Sequence, residues 1–386
     1  MIKKNITLMY AISCLQGMIF YGPVATLYRQ AAGVSVFQIT LIESICLAIT
    51  VLLELPWGIL ADRIGYRRTM IICSGLYFVS KIIFWQAEGF GWFLAERVLL
   101  GVVCSGLSGV DVSVLYLSCE PGQSQKVFGV YNNLNMIGLL FAAGIYSVFI
   151  GTNYRLAGLL TVFSYALAAL LALGLTEVKR PRSEAAHPAR DFFALLRQTL
   201  HHKKLLLLLL ATALLNETHQ TITVFLNQLQ YVKAGMSART IAIVYIAATL
   251  LGLTGGFSAR MTERLGEKRS GALLFFLCSA ACAAMAFTVN AVLSVGAIFL
   301  LRIAFSLYQP LQTELQNREV TTPDRATALS LNSVLMEAVA IATNLAFGGI
   351  AEKNLSFAML LGCVLCAVGL ILFVLSSGRR ATQNTA

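Results

Sequence analysis

The chain alternates between long apolar stretches and short polar turns. It lacks the half-polar periodicity of helices that face water on one side. A helix rises 1.5 Å per residue and the hydrocarbon core of a bilayer is about 30 Å thick, so about 20 apolar residues make one crossing. Twelve such stretches can be drawn: 5–27, 37–60, 67–87, 92–117, 128–149, 155–175, 204–229, 239–259, 270–290, 292–314, 327–350 and 355–376. Glycines and polar residues interrupt several of them, which neighbours in a helical bundle tolerate. The expected fold class is an all-α membrane protein with twelve transmembrane helices.

Composition narrows the class further. Of 386 residues, 58% are hydrophobic and only 12% are charged, with mean hydropathy +0.75. Soluble domains carry about a quarter charged residues, so this chain cannot cover a globular surface. Seven prolines and apolar runs throughout also exclude a disordered or fibrous chain. The net charge of +11 is unevenly placed. Arg29, Arg155, Lys233, Arg239 and Lys353 fall on the outer side of the twelve-span scheme, and Lys81, Arg97 and Arg302 fall within spans. The remaining Lys and Arg fall on the inner side, as the positive-inside rule requires when both termini are cytoplasmic. The basic excess is therefore a topology signal, and no nucleic-acid partner is implied.

The longest hydrophilic stretch, 176–204, divides the chain into six spans plus six. The expected organisation is a six-helix bundle over 1–176, a cytoplasmic linker over 177–203, a second six-helix bundle over 204–378 and a cytoplasmic tail over 379–386. Residues 62–68, DRIGYRR, align with 263–269, ERLGEKR, each after the second span of its half. Parallel halves of this kind are a known transporter architecture, with the substrate site near the midplane.

Residues 58–68, GILADRIGYRR, carry Gly58, Asp62, Arg63, Gly65, Arg67 and Arg68 in a spacing that resembles the loop signature of the major facilitator superfamily. The resemblance extends over the whole chain. It implies a cytoplasmic gate in which Asp62 and the arginines latch the two halves, with Glu54 before it and Glu263 and Arg264 as its echo. Gly58 is expected to allow close helix contact and Gly65 a tight turn. Plain positive-inside anchoring is the alternative for the three arginines. In the fourth span, ERVLLG places Arg97 four residues before Gly101, which resembles a second signature whose arginine is implicated in proton-linked transport. Snorkelling to the outer interface is the alternative for Arg97, and Glu96 is expected to point elsewhere, toward the interface. Gly129 and Gly138 in the fifth span resemble an exporter signature, but its Gly-Pro is replaced by Ala142, Ala143 and Gly144. The resemblance points to a drug:proton-antiporter-like branch.

Polar residues inside spans are the remaining candidates, because lipid satisfies neither amides nor carboxylates. In the seventh span Asn216, Gln220, Thr223 and Asn227 recur at i, i+4, i+7 and i+11, one face of an α-helix that would line a cavity. Gln16, Tyr21, Asn132, Tyr308, Gln312 and Asn344 are further cavity candidates. Asp111, Glu217 and Glu337 are proton-coupling candidates beside Arg97. Asp111 and Glu337 could equally be structural partners of Arg97 or Arg302. The cysteine pairs Cys278/Cys282 and Cys363/Cys366 sit at helical spacing in apolar sequence and read as packing residues. No P-loop, HExxH or nucleophile elbow is present, so neither an enzyme nor a metal or organic cofactor is expected.

The reading that follows is a monomeric secondary transporter in a bacterial inner membrane. It is expected to work by alternating access on a small-molecule substrate, with protons as coupling ion. Proton-coupled efflux of amphipathic drugs or metabolites comes first. Uptake of a small polar nutrient is the rival within the class, and a lipid-translocating or sensory membrane protein is the rival outside it.

Overall fold

The computed structural model describes residues 2–120, 123–178, 201–319 and 325–377; for Ile2, Lys3, Leu55, Asp62, Gln125 and 325–330 only the backbone is described. The Asp62 side chain, most of the linker over 177–203 and the tail over 379–386 therefore lie outside the described set. Among the described residues twelve helices are long and apolar enough to cross a membrane. They are α1 (Lys4–Ala31), α2 (Val36–Ile64), α3 (Tyr66–Gln86), α4 (Gly89–Leu117), α5 (Lys126–Ile150), α6 (Tyr154–Leu173), α7 (Lys203–Lys233), α8 (Ala238–Leu265), α9 (Glu267–Phe287), α10 (Ala291–Glu319), α11 (Arg325–Lys353) and α12 (Leu355–Ser376). Only helices that close their own backbone hydrogen bonds can stand in hydrocarbon. Large apolar side chains such as Leu52, Phe149, Phe287 and Val292 are 73%, 74%, 82% and 79% exposed, which lipid accommodates and water would not.

The helix pairings repeat. In the first half α1 packs on α5 and α6, α2 on α4, and α3 on α4 and α6. In the second half α7 packs on α11 and α12, α8 on α10, and α9 on α10 and α12. Each pairing recurs six helices later, the structural counterpart of the duplicated loop sequence. Gly65 and Gly266 end α2 and α8 in the left-handed region, at φ +94° and +79°. By contact, residues 1–183 together with Met236–Ala247 form one compact unit, and 184–235 with 248–386 form the other.

Several helices are broken within their spans. Helix α1 opens at Met18–Tyr21 before a short 3₁₀ turn with Pro23. Helix α4 breaks at Ser108–Gly109, with Gly109 at φ +76°. Helix α7 contains a π segment, Thr221–Leu226, a feature common at functional sites. Its i→i+5 bonds use one more residue per turn, so the face drawn at α-helical spacing does not stay together. Gln220 is exposed whereas Asn227 is only 6% exposed.

The glycine motif at the turn between α2 and α3 is also read differently in space. A Cβ on Gly58 would meet open space, so close helix contact is not the reason for that glycine. Gly65 does what the turn requires: a Cβ there would sit 2.7 Å from Glu177 Oε2. Glu177 accepts hydrogen bonds from the Tyr66 N–H (3.0 Å) and the Arg67 N–H (3.3 Å), capping α3 with a carboxylate at its positive end. Arg67 Nε in turn donates to the Leu175 carbonyl (2.6 Å) and Nη2 to that of Leu173 (3.3 Å), at the C-terminal end of α6. The described partners of Arg67 thus lie within the first unit, while Arg63, Arg68, Glu263 and Arg264 are exposed. Replacing Glu177 by alanine is expected to lower stability by about 1 kcal/mol, since the cap is solvent-exposed. Thermal unfolding of the purified variant checks this, and an unchanged midpoint would remove the cap from the account.

Candidate substrate and coupling site

Buried charge is the most expensive thing a membrane helix can carry, so its location is the best guide to chemistry. In the first unit five ionised side chains converge from four helices. Lys81 on α3 is 3% exposed and Glu96 on α4 is 1% exposed, and Lys81 Nζ lies 3.8 Å from Glu96 Oε1. Arg97 Nε lies 3.5 Å from Glu96 Oε2, and Arg97 Nη1 lies 3.4 Å from Glu43 Oε2 on α2. The fifth is Arg29 near the C-terminal end of α1, only 2% exposed, with its guanidinium over the rings of Phe84 and Phe93 at 5.4 and 6.0 Å. It lies within electrostatic reach of Arg97, Glu96 and Glu43.

Tyrosines surround this cluster. Lys81 Nζ donates to Tyr21 Oη at 3.1 Å and stands 5.8, 5.0 and 5.2 Å from the ring centroids of Tyr21, Tyr77 and Tyr165. Aromatic faces are electron-rich, so three rings can hold an ammonium that has left water. Tyr165 donates to the Gln16 carbonyl at 2.6 Å, tying α6 to the broken part of α1, while Tyr21 stacks on Phe84 at 3.9 Å. Arg97 and Glu43 side chains keep 18% exposure each, so the cluster is reached from outside the packed core on their side.

The second unit holds a separate polar group on α7. Glu217, 6% exposed, accepts from Thr221 Oγ1 at 2.6 Å, and that hydroxyl also lies 3.4 Å from Asn344 Oδ1 on α11. His219 stacks on Phe305 at 3.7 Å, and its Nε2 lies 3.3 Å from Arg302 Nη1 on α10. A guanidinium only donates, so Nε2 is the acceptor and the imidazole proton sits on Nδ1. Asn216 and Gln312 are half-buried, each with a side-chain oxygen lacking a hydrogen-bond partner, and Thr223 donates to the His219 carbonyl. Asn132 and Gln220 are exposed; Glu54 and Glu337 are half-buried.

Four expectations change. Glu96 is not interfacial: it faces inward and joins Lys81 to Arg97, because successive helix positions lie 100° apart and both neighbours still reach the α2–α3 side. Arg29 is not an outer-loop charge but is buried beneath the aromatic cluster. Tyr308 does not line a cavity; it is fully buried, shares a hydrogen bond with Thr212 (3.0 Å) and packs against Phe275 and Phe373. Asp111 lies at the α4 break, where it accepts from the Val112 N–H (2.7 Å) and the Tyr131 hydroxyl (3.4 Å) rather than pairing with Arg97. The missed residues, Glu43, Lys81 and Glu96, did carry a signal: each is an ionisable group within an apolar span of the same half.

A duplicated set of six-helix pairings around buried charge defines a multi-pass membrane protein of the transporter class. The profile of the Major Facilitator Superfamily matches residues 6–343, and the chain belongs to that superfamily. Among solved structures it is similar to the nucleoside transporter NupG, with TM-score 0.77 and 15% identity over 98% of this chain and 99% of that one. It is also similar to a D-xylose–proton symporter, with TM-score 0.74 and 13% identity over 95% and 96% of the two chains. A bacterial homologue of the human lysosomal transporter Spinster, inward-facing and unoccupied, gives TM-score 0.73 and 18% identity over 97% and 95%. At these identities the likeness shows the fold. In sequence, the nitrate/nitrite transporter NrtP of Nostoc punctiforme is 30% identical over 145 residues, 36% of this chain and 29% of that protein.

Proposed function

We propose that this protein is a proton-coupled secondary transporter of a small polar solute, with the Lys81–Glu96–Arg97–Glu43 cluster as its coupling element. The observation that carries the reading is Glu96, a carboxylate with 1% exposure placed between two cations on two different helices. A proton arriving at Glu96 removes the counter-charge of Lys81 and Arg97 together, so protonation and the packing of α3 against α4 are linked. A bistable pairing of this kind is what alternating access needs, since a coupling ion acts only through its differential interaction with two states. Within the first unit the hydroxyls of Tyr21 and Tyr165 add polar groups around Lys81. The nucleoside, xylose and nitrate/nitrite transport named for the similar proteins favours a nutrient-like solute over drug efflux. Asp111, Glu217 and Glu337 are second in line for coupling, because the described partners of Asp111 and Glu217 include neutral hydroxyls. A bacterial inner-membrane location with both termini cytoplasmic completes the reading.

The test is uptake into proteoliposomes under an imposed pH gradient, across a panel of neutral and charged small solutes including uridine, D-xylose, formate, acetate and nitrate. Wild-type protein is expected to accumulate at least one solute, and Glu96→Gln to reduce the gradient-driven part at least tenfold. Full gradient-driven uptake by Glu96→Gln would move coupling elsewhere. Uptake indifferent to the gradient would end the proton-coupled reading.

A further inference from the structure

The charges of the first-unit cluster do not balance. Arg29, Lys81 and Arg97 are three cations and Glu43 and Glu96 two carboxylates; Arg29 lies within electrostatic reach of Arg97, Glu96 and Glu43, and Lys81 within reach of Glu96 and Arg97. The four inner members form a chain of contacts between 3.4 and 3.8 Å, whereas among the described residues no carboxylate lies within 4 Å of Arg29. Glu88, just before α4, is mostly solvent-exposed and is engaged by Arg155 at 3.0 Å. Arg29 Nε is buried without a hydrogen-bond partner, whereas Arg97 Nε and Glu96 Oε2, also without a formal hydrogen bond, face each other at 3.5 Å. A buried donor left unmade is costly, more so when it is charged, and native structures rarely carry one without a reason.

We infer that the transported solute is an anion, a small carboxylate or inorganic oxyanion whose charge completes the Arg29–Glu43–Lys81–Glu96–Arg97 cluster. The inference rests on the transporter reading above and adds the solute's charge to it. The stacked aromatic rings fix Arg29 in place, so its planar donors are set before the solute arrives and little ordering is required on binding. Guanidinium donors match the oxygens of a carboxylate or planar oxyanion, and an ammonium held by tyrosines adds a point charge. A neutral sugar or nucleoside would leave the odd positive charge buried and uncompensated. A bound monoanion takes the cluster to neutrality.

The test is thermal unfolding of the purified full-length protein in detergent with formate, acetate or nitrate, against chloride at matched ionic strength. Uridine and D-xylose serve as neutral probes. At least one carboxylate or oxyanion is expected to raise the unfolding midpoint, because a ligand of the folded state stabilises it by mass action. Formate and acetate against nitrate distinguish a carboxylate from an inorganic oxyanion as the source. Arg29→Gln is expected to weaken the protective anion at least tenfold, and Arg29→Lys to restore part of the affinity, which a purely structural role for Arg29 would not do. Size-exclusion profiles establish that both variants fold. Protection by no anion in the panel overturns the inference, as does protection by uridine or D-xylose that Arg29→Gln leaves unchanged. In the second case gradient-driven uptake of the neutral solute keeps the transporter reading. Conversely, anion protection without gradient-driven flux of any solute would retain the site and remove the coupling.

Discussion

Glu96→Ala is expected to abolish gradient-driven transport and to destabilise the folded protein by about 3–5 kcal/mol, the usual cost of breaking a buried ion pair from one side. The carboxylate is 1% exposed and faces Lys81 and Arg97, so its removal leaves two buried cations with Glu43 as their remaining anion. Loss of stability alone would not distinguish a coupling site from a structural one. The double substitution Lys81→Met with Glu96→Leu does. Removing both partners restores apolar packing and often recovers stability, since desolvation of the pair offsets much of its attraction. The double variant is expected to unfold near the wild-type midpoint and still to fail in transport. Recovery of both properties would make the pair structural.

The second large effect is steric. Gly138 on α5 and Gly17 on α1 meet backbone to backbone: a Cβ on Gly138 would run into the Cys14 carbonyl, and one on Gly17 into the Asn135 carbonyl. Small residues at helix crossings in membranes allow close approach, and the dispersion gained there is a main source of association when lipid is as apolar as leucine. Gly138→Leu cannot be absorbed by a rotamer change, because the obstruction is main chain. Overpacking typically costs about 1–3 kcal/mol and occasionally more, and separation of α1 from α5 puts this case at the upper end. The expected result is loss of the monodisperse peak in size-exclusion chromatography. Gly129→Leu, where a Cβ meets open space, should keep it. Equal tolerance of leucine at both positions would contradict the close crossing.

Much of the fold was legible because hydrocarbon allows few solutions. Span length and the echo of DRIGYRR in ERLGEKR both report constraints that act along the chain. The site was less legible, for reasons that single residues make plain. Asn227 left the expected face because Thr221–Leu226 is π-helical, and composition does not announce a π-turn. Glu96 was expected to point elsewhere on its helix than Arg97, toward the interface, whereas it is buried 3.8 Å from the Lys81 ammonium one helix away. Arg29 lies past the first apolar stretch, so counting placed it outside; only the fold of Ala25–Ala31 against Phe84 and Phe93 buries it. Gly58 and Gly65 look alike in the motif, yet only Gly65 has a positive φ and a carboxylate against it. Charges within spans gave the strongest clue, and treating Glu43, Lys81, Glu96 and Arg97 as one set would have located the cluster from sequence.

The central claim is that solute and proton move together through the Glu96 cluster. Its most direct measurement is the pH inside proteoliposomes, read from a trapped pH-sensitive dye, when the solute that wild-type protein accumulates is added outside without any imposed gradient. The account predicts that the solute drives protons inward with wild-type protein and that Glu96→Gln, reconstituted to the same density, leaves the internal pH unchanged. A solute-evoked pH change of equal size in both proteins would contradict it.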